Sequence, residues 1–383
     1  MTLKLSYTTT FDARDVHHWS GTPYHMSQAL IETGMTVNYI GPLERKLPRF
    51  FKVKQVWNKY VSGQRESPRF NVFAAQHYSQ QVAKKLLEQP SDVIVSPLIN
   101  PIAYLDCKQP IVLWTDALYA SLLGFYSPFG RHSAATIEQG NRLTAECLSR
   151  CKLAVFSSDW AANAALQLYG VSQEKVKVIP YGANIQCYPS HTEIQNMIAK
   201  RANDKIKLLF LAKSWERKGG DIVLKVAEAL FQAGHPVELT IVGYHPPKFV
   251  PAPYIRCLGF ISKHTPEGKQ QLSTLLSETH FLFVPSRAEA YGIVFCEANA
   301  FGVPCLTTYV GGISTIVKNN VNGMTFGLDA SITTYCDYII QLMQNRAQYR
   351  ELALSSHHEY EQRLNWKTSA EHLKKMLEEI KGF

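Results

Sequence analysis

Apolar positions come in short runs separated by stretches with helical spacing, almost from end to end. Leu3–Tyr7, Val37–Ile40, Asp92–Val95, Ile111–Trp114, Leu153–Ser157 and Val176–Ile179 read as strands. Thr22–Glu32, Phe70–Glu88, Ser133–Arg150 and Trp160–Leu168 read as helices between them. The pattern breaks at Pro180-Tyr-Gly-Ala-Asn184, and a polar connector runs to about Asp204. It then resumes with strands at Lys207–Leu211, Glu238–Val242, Arg256–Phe260, Phe281–Val284 and Pro304–Thr307. Helices are expected at Asp221–Ala233, Gly268–Ser277 and Ile293–Ala300, and the tail, Ile332–Ile380, is helical throughout. Strands spaced by helices predict an α/β protein: two Rossmann-like, doubly wound halves with parallel sheets. The expected division is 1–185, a linker at 186–204, a second domain at 205–360, and a C-terminal helix at 361–383 packing toward the first domain. Such sheets bind ligands at the carboxyl ends of their strands, so a cleft between the halves is the expected site.

Composition narrows the class. The 383 residues are 46% hydrophobic and 19% charged, enough to bury real cores, which excludes disorder as the main state. No apolar run approaches the ~18 residues that span a bilayer, and residues 1–10 show no apolar core of a secretory signal. Eight cysteines without a Cys-x-x-Cys pair read as free thiols in a reducing compartment, with Cys147 and Cys151 expected in the core. A cytoplasmic location is expected, with peripheral contact at the inner face of the membrane.

The charge, 40 basic against 31 acidic residues, is uneven. Arg45 to Lys85 holds ten basic residues and one acid, Glu66. Within it, residues 45–61 interleave Lys and Arg with Phe50, Phe51, Val53, Val56, Trp57 and Tyr60. Cations beside bulky apolar groups suit an anionic membrane surface; a solvated basic loop with its aromatics on the core is the alternative. Nucleic acid is not expected, since no reading motif is present.

Two stretches carry candidate chemistry. In Pro285–Pro304 a strand ends, a loop carries Glu289, and a helix beginning near Gly292 carries Glu297. Eight residues of loop and helix span on the order of 12 Å, about the reach from a sugar across a diphosphate to a ribose. The amides of Tyr291, Gly292 and Ile293 at the helix start favour phosphate, and Gly292 allows close approach of the backbone. In Phe210–Asp221, Lys213 and Lys218 offer two charges to a leaving diphosphate. With no Asp-x-Asp at a strand end and no His cluster in the sequence, no metal is expected.

PSRAEAYG and EANAFGVP around Glu289-x7-Glu297, SWERKGGD upstream and SGTPY near the N-terminus resemble the retaining glycosyltransferases of family 4, which have the two-domain GT-B fold. The resemblance implies a metal-independent, cofactor-free transfer of a hexose, glucose favoured, from a UDP-sugar to a saccharide or lipid-linked saccharide, in polysaccharide or glycolipid synthesis. It implies that Glu297 binds the ribose and Glu289 the transferred sugar. Ala290, Tyr291, Gly292 and Ile293 would line the phosphate, Lys213 and Lys218 would hold it, and Gly259-Phe260 would meet the base. Gly21 would face the donor. Asp116 stands where many members carry His, and with Glu289, Lys218 and Lys213 it makes up the catalytic set the resemblance implies. Lys213 replaces a common Arg, and Tyr181-Gly-Ala-Asn184 lacks the Asp of a common interdomain turn. Ser158, Asp159, His17, His18 and His132 are weaker candidates. The reading set against this one is a nucleotide- or sugar-binding protein without turnover. A dehydrogenase lacks its Gly-x-Gly-x-x-Gly, and a related phosphorylase would need a pyridoxal lysine and a longer chain.

Overall fold

The computed structural model describes residues 2–61, 63–185, 189–243 and 251–382. The chain forms two units, Met1–Pro180 with Trp366–Phe383, and Tyr181–Asn365.

The first unit runs β1 (Lys4–Thr8), α1 (Thr22–Glu32), β2 (Thr36–Ile40), α2 (Phe51–Val61), α3 (Val72–Glu88), β3 (Val93–Ser96), β4 (Ile111–Thr115), α4 (Tyr119–Leu122), α5 (Ala134–Arg150), β5 (Cys151–Phe156), α6 (Asp159–Tyr169) and β6 (Val176–Val178). Its six strands pair parallel in the order β2-β1-β3-β4-β5-β6. β3 and β4 are buried along their whole length, which is why they read as unbroken apolar runs. Side-chain caps start the helices: Asn71 bonds the Ala74 amide for α3, Ser133 that of Thr136 for α5, and Ser158 that of Ala161 for α6.

The second unit runs α7 (His191–Lys200), β7 (Ile206–Leu211), α8 (Gly220–Gln232), β8 (Val237–Val242), β9 (Ile255–Gly259), α9 (Pro266–Glu278), β10 (Phe281–Phe283), α10 (Ile293–Ala300), β11 (Cys305–Thr308), α11 (Ile313–Ile316), β12 (Gly323–Phe326), α12 (Ile332–Gln344) and α13 (Arg346–Arg363). The parallel order is β12-β11-β10-β7-β8-β9. Counted from β7, the strand order doubles back between β7 and β10, the switch point of a doubly wound sheet, where loops leave the carboxyl edge in opposite directions.

The last helix, α14 (Trp366–Lys381), belongs to the first unit and packs on α1. Trp366 meets Trp114 edge-on at 5.9 Å, Ser369 Oγ donates to the Pro180 carbonyl at 2.6 Å, and Lys381 pairs with Asp92 at 2.7 Å.

The expected linker takes a different form. Residues 186–188 lie outside the described residues, but His191–Lys200 is a helix with a reciprocal Ser190–Glu193 capping box. Its amphipathic face, Ile194 and Ile198, is buried in the second unit against α9 and α13. Two buried apolar positions in ten residues were too few to stand out among polar neighbours. Arg201, just after this helix, is 4% exposed, and its guanidinium donates to the carbonyls of Phe301 and Gly302 and to the Tyr349 hydroxyl, each at 2.8 Å. Those carbonyls close α10, so the cation sits at the negative end of a helix.

Next to it, His280 is fully buried. Its Nδ1 accepts from the Lys207 amide at 2.9 Å, so Nε2 carries the hydrogen and donates to the Ala202 carbonyl at 2.9 Å. Burial first, then the Arg201 charge, pushes its pKa down from 6.5 to about 3. Between those values the unfolded chain takes up a proton that the folded chain refuses, so the histidine's contribution is complete above 6.5 and is lost as pH falls toward about 3. Urea denaturation of His280→Asn, whose amide oxygen can accept from Lys207, is expected to show a shallower loss of stability with falling pH. The difference from wild type should approach, at most, ~1.4 kcal/mol per pH unit in that window.

Candidate functional site

The loops that follow β7 and β10 are knitted together at the switch point. Arg287 grips Asp221 with two bonds of 2.8 Å, and its amide donates to the Arg217 carbonyl at 2.7 Å. Arg217 returns a bond of 2.9 Å to the Ala288 carbonyl. The Arg287 guanidinium holds the Asp221 carboxyl below the usual carboxylate range. The two loops approach so closely that a Cβ on Gly219 would lie 2.1 Å from the Pro285 carbonyl oxygen, and Gly219 has a φ of 74° as well. Only glycine fits there.

This clamp sets Glu289, 8% exposed, against Lys218, also 8% exposed; Lys218 Nζ is bonded to Glu289 Oε2, and Arg217 Nη1 lies 3.3 Å from the same oxygen. Of the three donors on the Lys218 ammonium, one is used by Glu289. From Glu289 the backbone passes through buried Ala290 and Tyr291 to Gly292, which caps α10 with a φ of 99°. A Cβ on Gly292 would meet the Phe295 ring at 2.6 Å. The amides of Ile293 and Val294 therefore open α10 at a sharply turned, side-chain-free corner, while the Phe295 amide already donates to the Gly292 carbonyl at 3.0 Å. The Tyr291 ring turns inward, donating its hydroxyl to the Tyr181 carbonyl at 2.7 Å, and burial pushes its pKa well up. Tyr291 thus contributes backbone to the site and holds the start of the second unit with its side chain.

Glu297, one turn into α10, is 1% exposed. Its Oε2 is bonded to Lys263 Nζ, while its Oε1 is buried with no hydrogen-bond partner among the described residues. Lys213 is exposed, with Nζ 5.3 Å from the centre of the exposed Phe260 ring. Gly259, at the end of β9, accepts from the Gly243 amide at 2.7 Å. Glu289, Lys218, Lys213, Gly259, Phe260 and Glu297 thus all belong to one unit and lie at the end of a parallel strand, in the loop after it or within the first two turns of the helix that follows.

Sequence reasoning missed Arg217 and Lys263, the partners of the two glutamates. Arg217 was visible beside Lys218. Lys263 lies 34 residues before Glu297, and no local pattern joins them.

In the first unit, Gly21 is buried with a φ of 85° and caps α1, and Trp19 and Ser20 before it also take positive φ, 49° and 56°. Three successive left-handed residues cost roughly 1–3 kcal/mol for each non-glycine member; no sequence signal announced them. Asp116 follows β4 and is half-buried; α4 is capped by Leu118, not by Asp116. Ser158 is an N-cap and Asp159 opens α6. His132 bonds the Tyr119 hydroxyl at 2.8 Å, and His18 stacks on Phe11.

The sequence showed no clustered histidines, but folding brings His191 on α7 near His357 and Glu361 on α13, with candidate ligand atoms within 4.8 Å of one another. His357 Nδ1 lies 3.1 Å from the Ala300 carbonyl, and its Nε2 lies 3.4 Å from Glu361. This group is not on the strand-end loops.

Residues 182–358 match the family described as glycosyl transferases group 1, less than half of the chain. D-inositol 3-phosphate glycosyltransferases are similar over comparable stretches. The one from Xylanimonas cellulosilytica is 25% identical over 184 residues, 44% of this chain and 43% of that protein. The one from Gordonia bronchialis is 24% identical over 189 residues, 46% and 41% of the two chains. The chain thus spans less than half the length of the curated relatives it matches. Among solved structures, sucrose-phosphate synthase from Thermosynechococcus elongatus superposes with a TM-score of 0.69 at 15% identity, over 99% of each chain. Anabaena HepE in complex with UDP and glucose gives 0.62 at 15% identity, over 98% of this chain and 100% of that one. By fold, the two doubly wound sheets are those of GT-B glycosyltransferases.

The Glu297–Lys263 pair generates a prediction. Lys263→Met leaves a buried carboxylate without its cation and is expected to destabilise the chain by ~3 kcal/mol, the lower end for a broken buried pair because Lys263 is itself partly exposed. Adding Glu297→Gln should recover most of that loss. Thermal unfolding of the two single variants and the double variant checks the coupling.

Proposed function

We propose that the second unit binds a nucleoside diphosphate sugar, UDP-glucose first among them, and that the chain transfers its hexose with retention of anomeric configuration. The observation that carries this reading is Glu297. A buried carboxylate oxygen without a partner among the described residues is costly, and the cis-hydroxyls of a ribose would supply the donors it lacks. From there the diphosphate reaches back along the start of α10, whose amides and dipole favour it.

Glu289 takes hydroxyls of the transferred sugar. Lys218 and Arg217, already at its side, face the charge that develops as the anomeric carbon–oxygen bond breaks. The acceptor hydroxyl forms the new bond to the anomeric carbon and gives its proton to the departing phosphate oxygen. Lys213 adds a charge at the edge, Phe260 and the Gly259 backbone meet the base, and Gly21 is the first-unit residue we assign to donor binding. Asp116 is the residue we assign to orienting the acceptor, a saccharide or lipid-linked saccharide. Neutralisation by side chains and amides lets the transfer run without a metal.

Calorimetry of UDP, GDP and ADP with EDTA present tests the reading. UDP is expected to bind selectively, and Glu297→Ala to weaken it about 10- to 100-fold. Glu289→Gln should leave UDP affinity within a few-fold while lowering UDP release from UDP-glucose by about 100-fold or more. UDP affinity unchanged in Glu297→Ala would remove the ribose assignment. Tight UDP binding with no release from any UDP-sugar would make the chain a binding protein.

A further inference from the structure

The helix α2 sits on the first unit with its amphipathicity reversed. Phe50, just before it, and Val53, Trp57, Tyr60 and Val61 recur at helical spacing, and all are exposed, from 65% to 79%. Val56 widens the stripe at 56%. The side turned inward is mostly polar: Phe51 is buried, while Gln55 and Asn58 bond Glu66 at 3.2 and 2.6 Å. At the helical angle per residue, the outward apolar stripe and this inner side differ by roughly 140°.

Glu66 is the clasp. It is 4% exposed and also accepts from Ser133 and Thr136 at the start of α5, at 2.8 and 3.0 Å, with Lys54 at 3.2 Å. The one acid of the basic segment is thereby consumed in holding the helix, and the charge around the apolar stripe is left positive. Arg45, Lys46, Arg49, Lys52 and Lys59 are all exposed. A water-facing stripe of this kind is costly unless covered.

We infer that α2 and its approach, residues 45–61, are a docking face for an anionic phospholipid surface, with Trp57 and Tyr60 entering the headgroup layer and the flanking cations on lipid phosphates. Cations at the flanks and aromatics at the centre are the arrangement of a helix lying in a membrane interface. The charge chooses a lipid surface over a second copy of the chain, because two such faces would bring like charges together. No helix among the described residues is long and apolar enough to cross a membrane, so contact here is at the surface. The inference is independent of the transfer reading, since residues 45–66 lie outside residues 182–358.

The test is co-sedimentation of the full chain with vesicles of phosphatidylcholine alone, or with about one third phosphatidylglycerol, at low and high salt. Wild type should pellet with the anionic vesicles only, and less at high salt. Trp57→Ser with Tyr60→Ser, both solvent-facing, should lower the bound fraction about tenfold with unchanged circular dichroism and melting temperature. Lys52→Glu with Lys59→Glu should do the same. Because the whole chain carries +9, anionic binding that survives the aromatic variant overturns the assignment to α2. Failure of wild type to bind, or a dimer in solution that the aromatic variant makes monomeric, also overturns it.

Discussion

Everything proposed for the second unit depends on the closeness of two loops at the point where its strand order doubles back. β7 and β10 are neighbours in the sheet, yet 69 residues separate the end of one from the start of the other. Their loops touch because Gly219 has no Cβ to strike the Pro285 carbonyl and because Arg287 holds Asp221 with both terminal guanidinium nitrogens. Widening that contact would separate Lys218 and Arg217 from Glu289, and the charge balance of the site with them. Glycine and arginine therefore set the chemistry here without belonging to it.

The two glutamates are not equivalent. Glu289 has two cations at one oxygen and lies in a loop, where its environment can rearrange around a ligand. Glu297 is on a helix, almost wholly buried, with one oxygen paired and one without a partner among the described residues. A rigid, half-satisfied carboxylate suits recognition of a group that does not change during the reaction. A charge-balanced one beside developing charge suits the part that does. The difference follows from burial and partners alone.

The first unit shows the same economy with a different acid. Glu66, alone among ten basic residues in its segment, gathers the hydroxyls of α5 and the polar side of α2 around one buried carboxylate. The apolar side of the helix then has nowhere to go but outward. Burial of α2 by its aromatics, the natural alternative for such a segment, is excluded by this single cluster, which takes the inner face first.

Most strands and the long helices were legible because their cause is local: β3, β4, β7 and β10 are predominantly apolar, and the main helices carry a buried stripe. So were Glu289, Glu297, Lys213 and Lys218, which lie beside strand ends in recognisable stretches. The helix at His191–Lys200, the strand Gly323–Phe326 and the helix in the basic segment were not, since each shows few apolar residues or turns them to water. By itself, the sequence determined the alternation of strands and helices, the excess of positive charge and the candidate carboxylates, all properties of neighbours along the chain. Tertiary structure alone decided that Lys263 faces Glu297, that Arg217 shares Glu289, and that Trp57 and Tyr60 point outward. These are choices of partner across tens of residues, made by packing and by the cost of leaving a buried charge alone.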